Sequence, residues 1–515
     1  MRNLSRALLT ILLAFAAAAC GRSFTPGADT VKGHAARPLA TIYDFIITVP
    51  GLQFPQYAAG GLRVDLTLEM TGGASLFDGA VTINSVEVGG IPRPFTAARP
   101  LTTTGQLQGA DWGLDSFGPI EVGTASAGFT DVWLSLAGTL SSDGRTIDGI
   151  SVVTSSGETG SFHAVKQRRY LVAATDFGVT GTASLVTVRF DTSFEVARDL
   201  EAISGDPVAR ATGGGVYIVN RFFFDNIQSL DPAAGFATAL QFSTGNGSNP
   251  HDILAPDPSR LYITRYEPPW NDILIVDRAT GRNLGFIDLS SLASNSSGTP
   301  RADGLAMADG MVVAGLQNID TSFTEYGPGL LAVIDPATDS VTRTITMVGL
   351  NPFGPPAVHP SSGDLYYAMA GIFQGSLQRE LSGGVEVVDP NTLTTRGLLV
   401  DDDALGGNVS SVALASVGAV TLGYCVVTTA AGTNMVRTFD ADTGAVLPGT
   451  PYQSTAFLPE VVSDGDGWIL LPAHDINDPR LVVIDAATGQ VVAMPRLSLP
   501  PVSIAVLTRR LSGLN

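Results

Sequence analysis

Apolar positions between Asn249 and Leu289 fall into four strand-length runs, HDILAP, RLYITRY, NDILIVD and NLGFIDL. The turn signals DPS, EPPW and DRATGR separate them. Short runs rich in Ile, Leu, Val and Tyr, bounded by Gly, Pro and Asp, read as strands of an antiparallel meander. The third run recurs as IQSLDPAAG, LAVIDPATD, VEVVDPNTL, VRTFDADTG and LVVIDAATG. Its aspartates, Asp231, Asp277, Asp335, Asp389, Asp440 and Asp485, stand 45 to 58 residues apart. LVTVRFDTS, at Asp191, fits as a degenerate further copy. Four strands per unit at about this period predict a β-propeller. An aspartate can accept bonds from backbone two residues on, and glycine supplies the left-handed position that closes a hairpin. The repeated Asp-x-x-Thr-Gly is therefore expected to fold the chain and not to catalyse.

The ends complete the count. PPVSIAVLTRR reads as a first strand with nothing after it, and RRYLVAATDF as a second strand with nothing before it. Pairing of 500–510 with 168–177 would make a composite blade and remove open sheet edges. Residues 166–515 are thus expected to form a seven-bladed propeller. Residues 39–165 alternate differently. RVDLTLEM puts Val64, Leu66 and Leu68 on one face, and SSDGRTIDG is an Asp-Gly hairpin signal. This stretch predicts a small antiparallel β-barrel or β-sandwich of six to eight strands, so the whole chain is all-β. Its last hairpin faintly resembles that of lipocalin-like barrels, which would imply a small apolar ligand; a filled spacer or docking module is the plainer expectation.

The N-terminus has its own pattern. Arg2 and Arg6 precede an apolar core, and Ala17, Ala18 and Ala19 precede Cys20. Residues 1–19 read as a signal peptide, too short for a comfortable membrane span. The Ala-Ala-Cys ending resembles the lipobox of bacterial lipoproteins, although Ala17 stands where Leu is usual. The resemblance implies cleavage before Cys20 and its acylation, for example with palmitate. Several acyl tails give stable anchoring. Gly21, in place of Asp, implies the outer membrane of a Gram-negative cell. Residues 20–38, small, polar and Pro/Gly-containing, read as a flexible tether.

Composition adds limits. In 515 residues, 44% are hydrophobic and 15% charged, with 58 Gly and 31 Pro, as expected of a turn-rich protein of two or more domains. The formal net charge of -19 repels phosphates, so nucleic acid is not an expected partner. Cys425, in the apolar run GYCVVTT, reads as a buried inert thiol.

Residues 166–510 resemble the YVTN family of seven-bladed propellers, best in NPHDILAPDPSRLYITRY followed by ILIVDRATGRNLGFIDL. GLAMADGMVVAGLQNID, LLAVIDPATDSV, GLNPFG, GGVEVVDPNT and ALGGNVSSVAL are similar to segments of propeller lipoproteins of delta-proteobacteria. The resemblance implies a fold and carries no activity.

Chain direction sorts the loops. Fourth-to-first and second-to-third connections share one face, and these are the long ones, at 266–272, 317–329 and 371–384. They carry Trp270, Phe323, Tyr326 and Phe373, with Phe353 in a fourth-to-first loop. Long loops on a rigid scaffold are where binding usually sits. His251, Asp252, Arg301, Asp303, Asn351, Asn408 and Glu460 fall at or just before first strands and should ring the channel mouth. Asp252, Asp303 and Glu460 could hold a Ca²⁺ with backbone carbonyls. Arg265, Arg301 and His251 could instead bind a carboxylate. The plain alternative is a polar, water-filled entrance. His251, His359 and His474 lack zinc-ligand spacing, and SDGDGW lacks the rest of an EF-hand loop. No cofactor is expected beyond that Ca²⁺. The expected function is a non-catalytic, lipid-anchored binding scaffold that takes a protein or small molecule at the long-loop face. The alternative is a lactonase- or lyase-like enzyme with Ca²⁺ at the channel mouth.

Overall fold

The computed structural model describes residues 32–33, 35–72, 75–372 and 382–507. Cys20, Gly21 and Phe373 lie outside the described residues. The described chain divides into two compact units. Among the described residues no helix is long and apolar enough to cross a membrane.

The larger unit is a seven-bladed β-propeller. Blade 1 is built from Pro207–Thr212, Gly215–Asn220, Asn226–Asp231 and Ala237–Ser243. Blade 2 is built from Pro250–Leu254, Arg260–Arg265, Asp272–Asp277 and Asn283–Asp288. Blades 3 to 6 repeat the four-stranded antiparallel order at 302–346, 352–401, 408–454 and 462–493. Blade 7 begins with the last described strand. Pro501–Val506 pairs with the strand Arg168–Ala174, with Tyr170 opposite Val506 and Ala174 opposite Pro501.

Third strands are apolar on both faces because both are covered. Asp272 through Val276 are buried in blade 2, and Gly384 through Val388 in blade 4. The core is therefore a set of layers between adjacent blades. Tyr262, Ile273 and Ile275 of blade 2, for example, pack with Val312, Ala314 and Ala332 of blade 3.

The repeated aspartates act in the hairpins. Asp277 Oδ1 accepts from Thr280 N at 2.9 Å and Thr280 Oγ1 at 2.6 Å. Asp440 and Asp485 accept the same pair of bonds from Thr443 and Thr488. Gly281, Gly444 and Gly489 take φ of 71°, 75° and 68°, and each donates its N–H to the aspartate carbonyl at 2.8 Å. Only glycine enters that region without a steric penalty.

A second device joins neighbouring blades. The second strand carries a tyrosine that reaches the outer turn of the next blade. Tyr366 Oη donates to Ala441 O at 2.7 Å, and Tyr424 Oη to Ala486 O at 2.6 Å. Tyr217 accepts from Arg278 Nε, and Tyr262 donates to Asp339.

The described end of the expected flexible tether, residues 20–38, is engaged with blade 1. Lys32 and Gly33 pair with Gln241 and Leu240, adding a fifth strand to blade 1, and Arg37 Nε lies 3.0 Å from Asp231 Oδ2. The outer edge of blade 1 has unpaired backbone groups, and a passing extended segment satisfies them. Phe353 also moves: it lies in the first strand of blade 4, opposite Ala368, and not in a loop.

The smaller unit includes residues 39–169, in which eight long antiparallel strands close on themselves through the pairing of Ala59–Gly72 with Leu76–Val88. Phe45, Trp112 and Phe162 fill its interior, with ring centroids 5.5 to 5.9 Å apart.

Cys425 is fully buried, and burial pushes its thiol up to about 12. Tyr366→Phe is expected to leave Ala441 O without its donor and to cost about 1–2 kcal/mol. The readout is a lower thermal midpoint with an unchanged far-UV spectrum.

Candidate binding face

First strands line the channel, and their inner edges have no neighbouring strand. Acidic side chains at the channel mouth supply the missing acceptors. Asp252 Oδ2 accepts Leu305 N at 2.8 Å, from blade 2 to blade 3. Asp303 Oδ2 accepts Gly354 N at 2.8 Å, from blade 3 to blade 4. Glu460 Oε1 accepts Ile504 N at 2.6 Å, reaching blade 7. Each carboxylate thus stitches one blade to another.

Their charges are met locally. Arg210 Nε donates to Asp252 Oδ1 at 2.7 Å and its Nη1 lies 3.8 Å from Glu460 Oε2. His251 Nδ1 lies 2.8 Å from Asp303 Oδ1, and Gln317 Nε2 donates to Asp303 Oδ2 at 2.7 Å. Burial raises the Asp303 carboxyl, but His251, Gly354 N–H and Gln317 outweigh it and hold it below its ordinary value. For Glu460 burial wins: the carboxyl is raised, and Arg210 and Ile504 N–H only partly oppose that. The donor set suits this arrangement better than a cation, because the positive charge between Asp252 and Glu460 is already the Arg210 guanidinium. Among the described residues, the acidic group whose ligand atoms lie within 4.8 Å of one another is Asp401, Asp402 and Asp403.

The basic candidates are also engaged. Arg265 is buried and bonds Asp272 through Nε and Nη2, both at 2.6 Å, with Nη1 on Thr244 O at 3.1 Å. Arg301 is 1% exposed, so it cannot receive a ligand carboxylate. Its Nε donates to Ile319 O at 2.9 Å, its Nη1 to Glu267 at 2.9 Å and its Nη2 to Asp320 O at 3.2 Å. The guanidinium lies 4.6 Å from the Tyr266 ring centre and 4.2 Å from that of Phe323. His251 stacks on the other part of this column, 3.8 Å from Tyr266. The expected anion receptor is a staple between loops 266–271 and 317–329.

The rest of the long-loop side is similarly braced. Asp320 Oδ1 accepts Thr324 N and Glu325 N at 2.7 and 2.9 Å, and Tyr326 bridges to Ile319. Asn351 and Asn408 are buried, with their Nδ2 groups on Gly371 O and Ala370 O. Of the described aromatic candidates Phe323 is exposed, at 37%, and Trp270, Tyr326 and Phe353 are half-buried.

Trp270 divides two clefts of about 500 and 450 Å³. Pro269, Asn271, Asp288 and Phe286 wall the first. Phe242, Gly245, Val276 and Arg282 wall the second. The indole is held in place by Nε1 donating to Asn246 O at 3.1 Å and by Arg265, 4.1 Å from the ring centre. A Cβ at Gly245 would come within 2.8 Å of the ring, so glycine makes room for it. Phe286, 61% exposed, faces the same space. Sequence reasoning named Trp270 and missed Phe286, which sits on an outer strand; its signal was an aromatic at an outward position of NLGFIDL.

No protein-family model and no curated protein matches the chain. Among solved structures it is similar to dihydro-heme d1 dehydrogenase NirN in complex with DHE, at 13% identity over 65% of this chain and 74% of that one, with a TM-score of 0.42. It is also similar to a hydrazine synthase of Kuenenia stuttgartiensis, at 13% identity over 59% and 88%, TM-score 0.43. A third is a structure provisionally assigned as a 6-phosphogluconolactonase, from Bacteroides uniformis, at 14% identity over 66% and 99%, TM-score 0.47. These likenesses carry nothing about the site, and the propeller stands on its own blade topology.

Asp303→Asn should cost about 2–4 kcal/mol at pH 7, since it leaves His251 and Gly354 N–H poorly matched. Asp303 is depressed in the folded state, so its contribution is full above its unfolded value and is lost as pH falls through the lower, folded one. The thermal midpoints of variant and wild type are expected to converge in acid below about pH 4.

Proposed function

We propose that the protein is a non-catalytic, lipid-anchored scaffold of the bacterial envelope that binds a partner at its long-loop face through the clefts beside Trp270. One observation carries this reading. The charged groups at the channel mouth are matched to one another, while a fixed, half-buried indole and the exposed Phe286 ring line the cleft. Rigid aromatic surface bordered by polar groups favours recognition at low entropic cost. A partner presenting an aromatic or aliphatic side chain, or a small molecule with an apolar ring, suits clefts of this volume.

The anchor belongs to the same proposal and rests on the leader and Cys20. Palmitate labelling of the wild type and recovery of Cys20→Ala from the soluble fraction are the expected outcomes. Labelling that persists in the variant would count against the anchor.

The binding role is tested by capture from envelope fractions with wild type, Trp270→Ala, Phe286→Ala and a variant lacking 317–329. The first two substitutions should each reduce recovery of a specific partner at least tenfold, in line with loss of an interface anchor of about 2 kcal/mol. Deleting 317–329 also removes the Ile319 and Asp320 acceptors of Arg301, so its loss of binding counts only where its melting profile is retained. Identical partners across wild type, Trp270→Ala and Phe286→Ala would remove the reading.

A further inference from the structure

We propose a site for a hard divalent cation, Ca²⁺ by its donor chemistry, anchored on Asp402 between blades 4 and 5. Asp402 opens the single helical turn Asp402–Leu405 that follows the last strand of blade 4. Its side chain is wholly buried. Oδ2 accepts Gly383 N at 3.0 Å, and Oδ1 has no hydrogen-bond partner. The charges acting on it are Asp401 and Asp403, both acidic, with ligand atoms within 4.8 Å of its own. A buried carboxylate is stable only when paired, hydrogen-bonded or coordinated. Among the described residues no basic side chain does the pairing.

Three further buried oxygens nearby have no partner: Asn351 Oδ1, Asn408 Oδ1 and Ser382 Oγ. The amide orientations are settled by chemistry. Asn351 Nδ2 donates to Gly371 O at 3.2 Å and Asn408 Nδ2 to Ala370 O at 3.0 Å. A carbonyl can only accept, so neither amide can be turned round, and both present oxygen to whatever lies beyond. Gly371 leaves the space. A Cβ there would stand 3.1 Å from Ser382 Oγ, 3.3 Å from Asn408 Nδ2 and 3.4 Å from Gly383 N, the donor to Asp402. Hydroxyl, amide and the carboxylate's own donor therefore border one small volume.

Carboxylate, amide and hydroxyl oxygens, without imidazole or thiolate, select Ca²⁺ or Mg²⁺ over zinc and copper. The flexible, mixed set favours the larger ion. This site is separate from the channel-mouth carboxylates, and it rests on neither the lipid anchor nor the Trp270 clefts.

The test uses the full chain, stripped with chelator and titrated with Ca²⁺ alone. Wild type should bind one equivalent saturably, with weaker Mg²⁺ binding, and its thermal midpoint should rise with Ca²⁺. Asp402→Asn should abolish both effects. In chelator it should melt no lower than wild type, because it removes an unpaired buried charge, and that separates loss of the site from misfolding. A double variant, Asp401→Asn with Asp403→Asn, should bind more weakly at the same stoichiometry. Absence of saturable Ca²⁺ binding by wild type would overturn the proposal, and so would undiminished binding by Asp402→Asn.

Discussion

The innermost strand of every blade has one edge with no neighbour, and the closed ring depends on how those edges are satisfied. A strand edge carries N–H groups that must find acceptors or water. Asp252, Asp303 and Glu460 accept N–H groups of Leu305, Gly354 and Ile504, each on a different blade from the acceptor. The carboxylates are thereby committed to architecture. Their charge then requires Arg210, His251 and Gln317 around them, and the polarity of the channel mouth follows from a backbone requirement.

Ring closure rests on a second constraint. The middle strands of a blade are buried on both faces, so no blade buries its surface unless both neighbours are present. The last layer is completed by Pro501–Val506 against Arg168–Ala174, so the last described strand is as much core as any other. Tyrosines such as Tyr366 and Tyr424 add polar bonds across the same layers, from a second strand to the next blade's outer turn. Apolar burial supplies the attraction, and these directional bonds set the register between blades.

The blade count, the composite blade and the hairpin role of the aspartates could be read from the chain because each is local or periodic. Asp277 and Thr280 are three residues apart, and Pro501–Val506 matches the pattern of a missing strand. The binding candidates were read less well. Arg301 meets Ile319, Glu267 and Phe323 through loops whose paths no local pattern specifies. Sequence shows that an arginine stands at the start of a first strand. Whether its guanidinium faces solvent or two aromatic rings is decided by residues 18 to 34 positions away. The free acceptors of Asn351 and Asn408 escaped notice for the same reason, since they depend on the carbonyls of Ala370 and Gly371.

Buried polarity in this propeller therefore divides by whether it is matched. Removing one member of a matched group leaves the other buried and uncompensated, so such groups hold a structure rigid. The Arg301 column is of this kind, and it braces loops 266–271 and 317–329, so Trp270 is displayed from a stiff frame. Asp402 Oδ1, Asn351 Oδ1, Asn408 Oδ1 and Ser382 Oγ are the contrasting case, buried oxygens without a hydrogen-bond partner. Their presence is better explained by a bound cation than by packing, and such an ion would tie blade 4 to blade 5 in addition to the Tyr366–Ala441 bond.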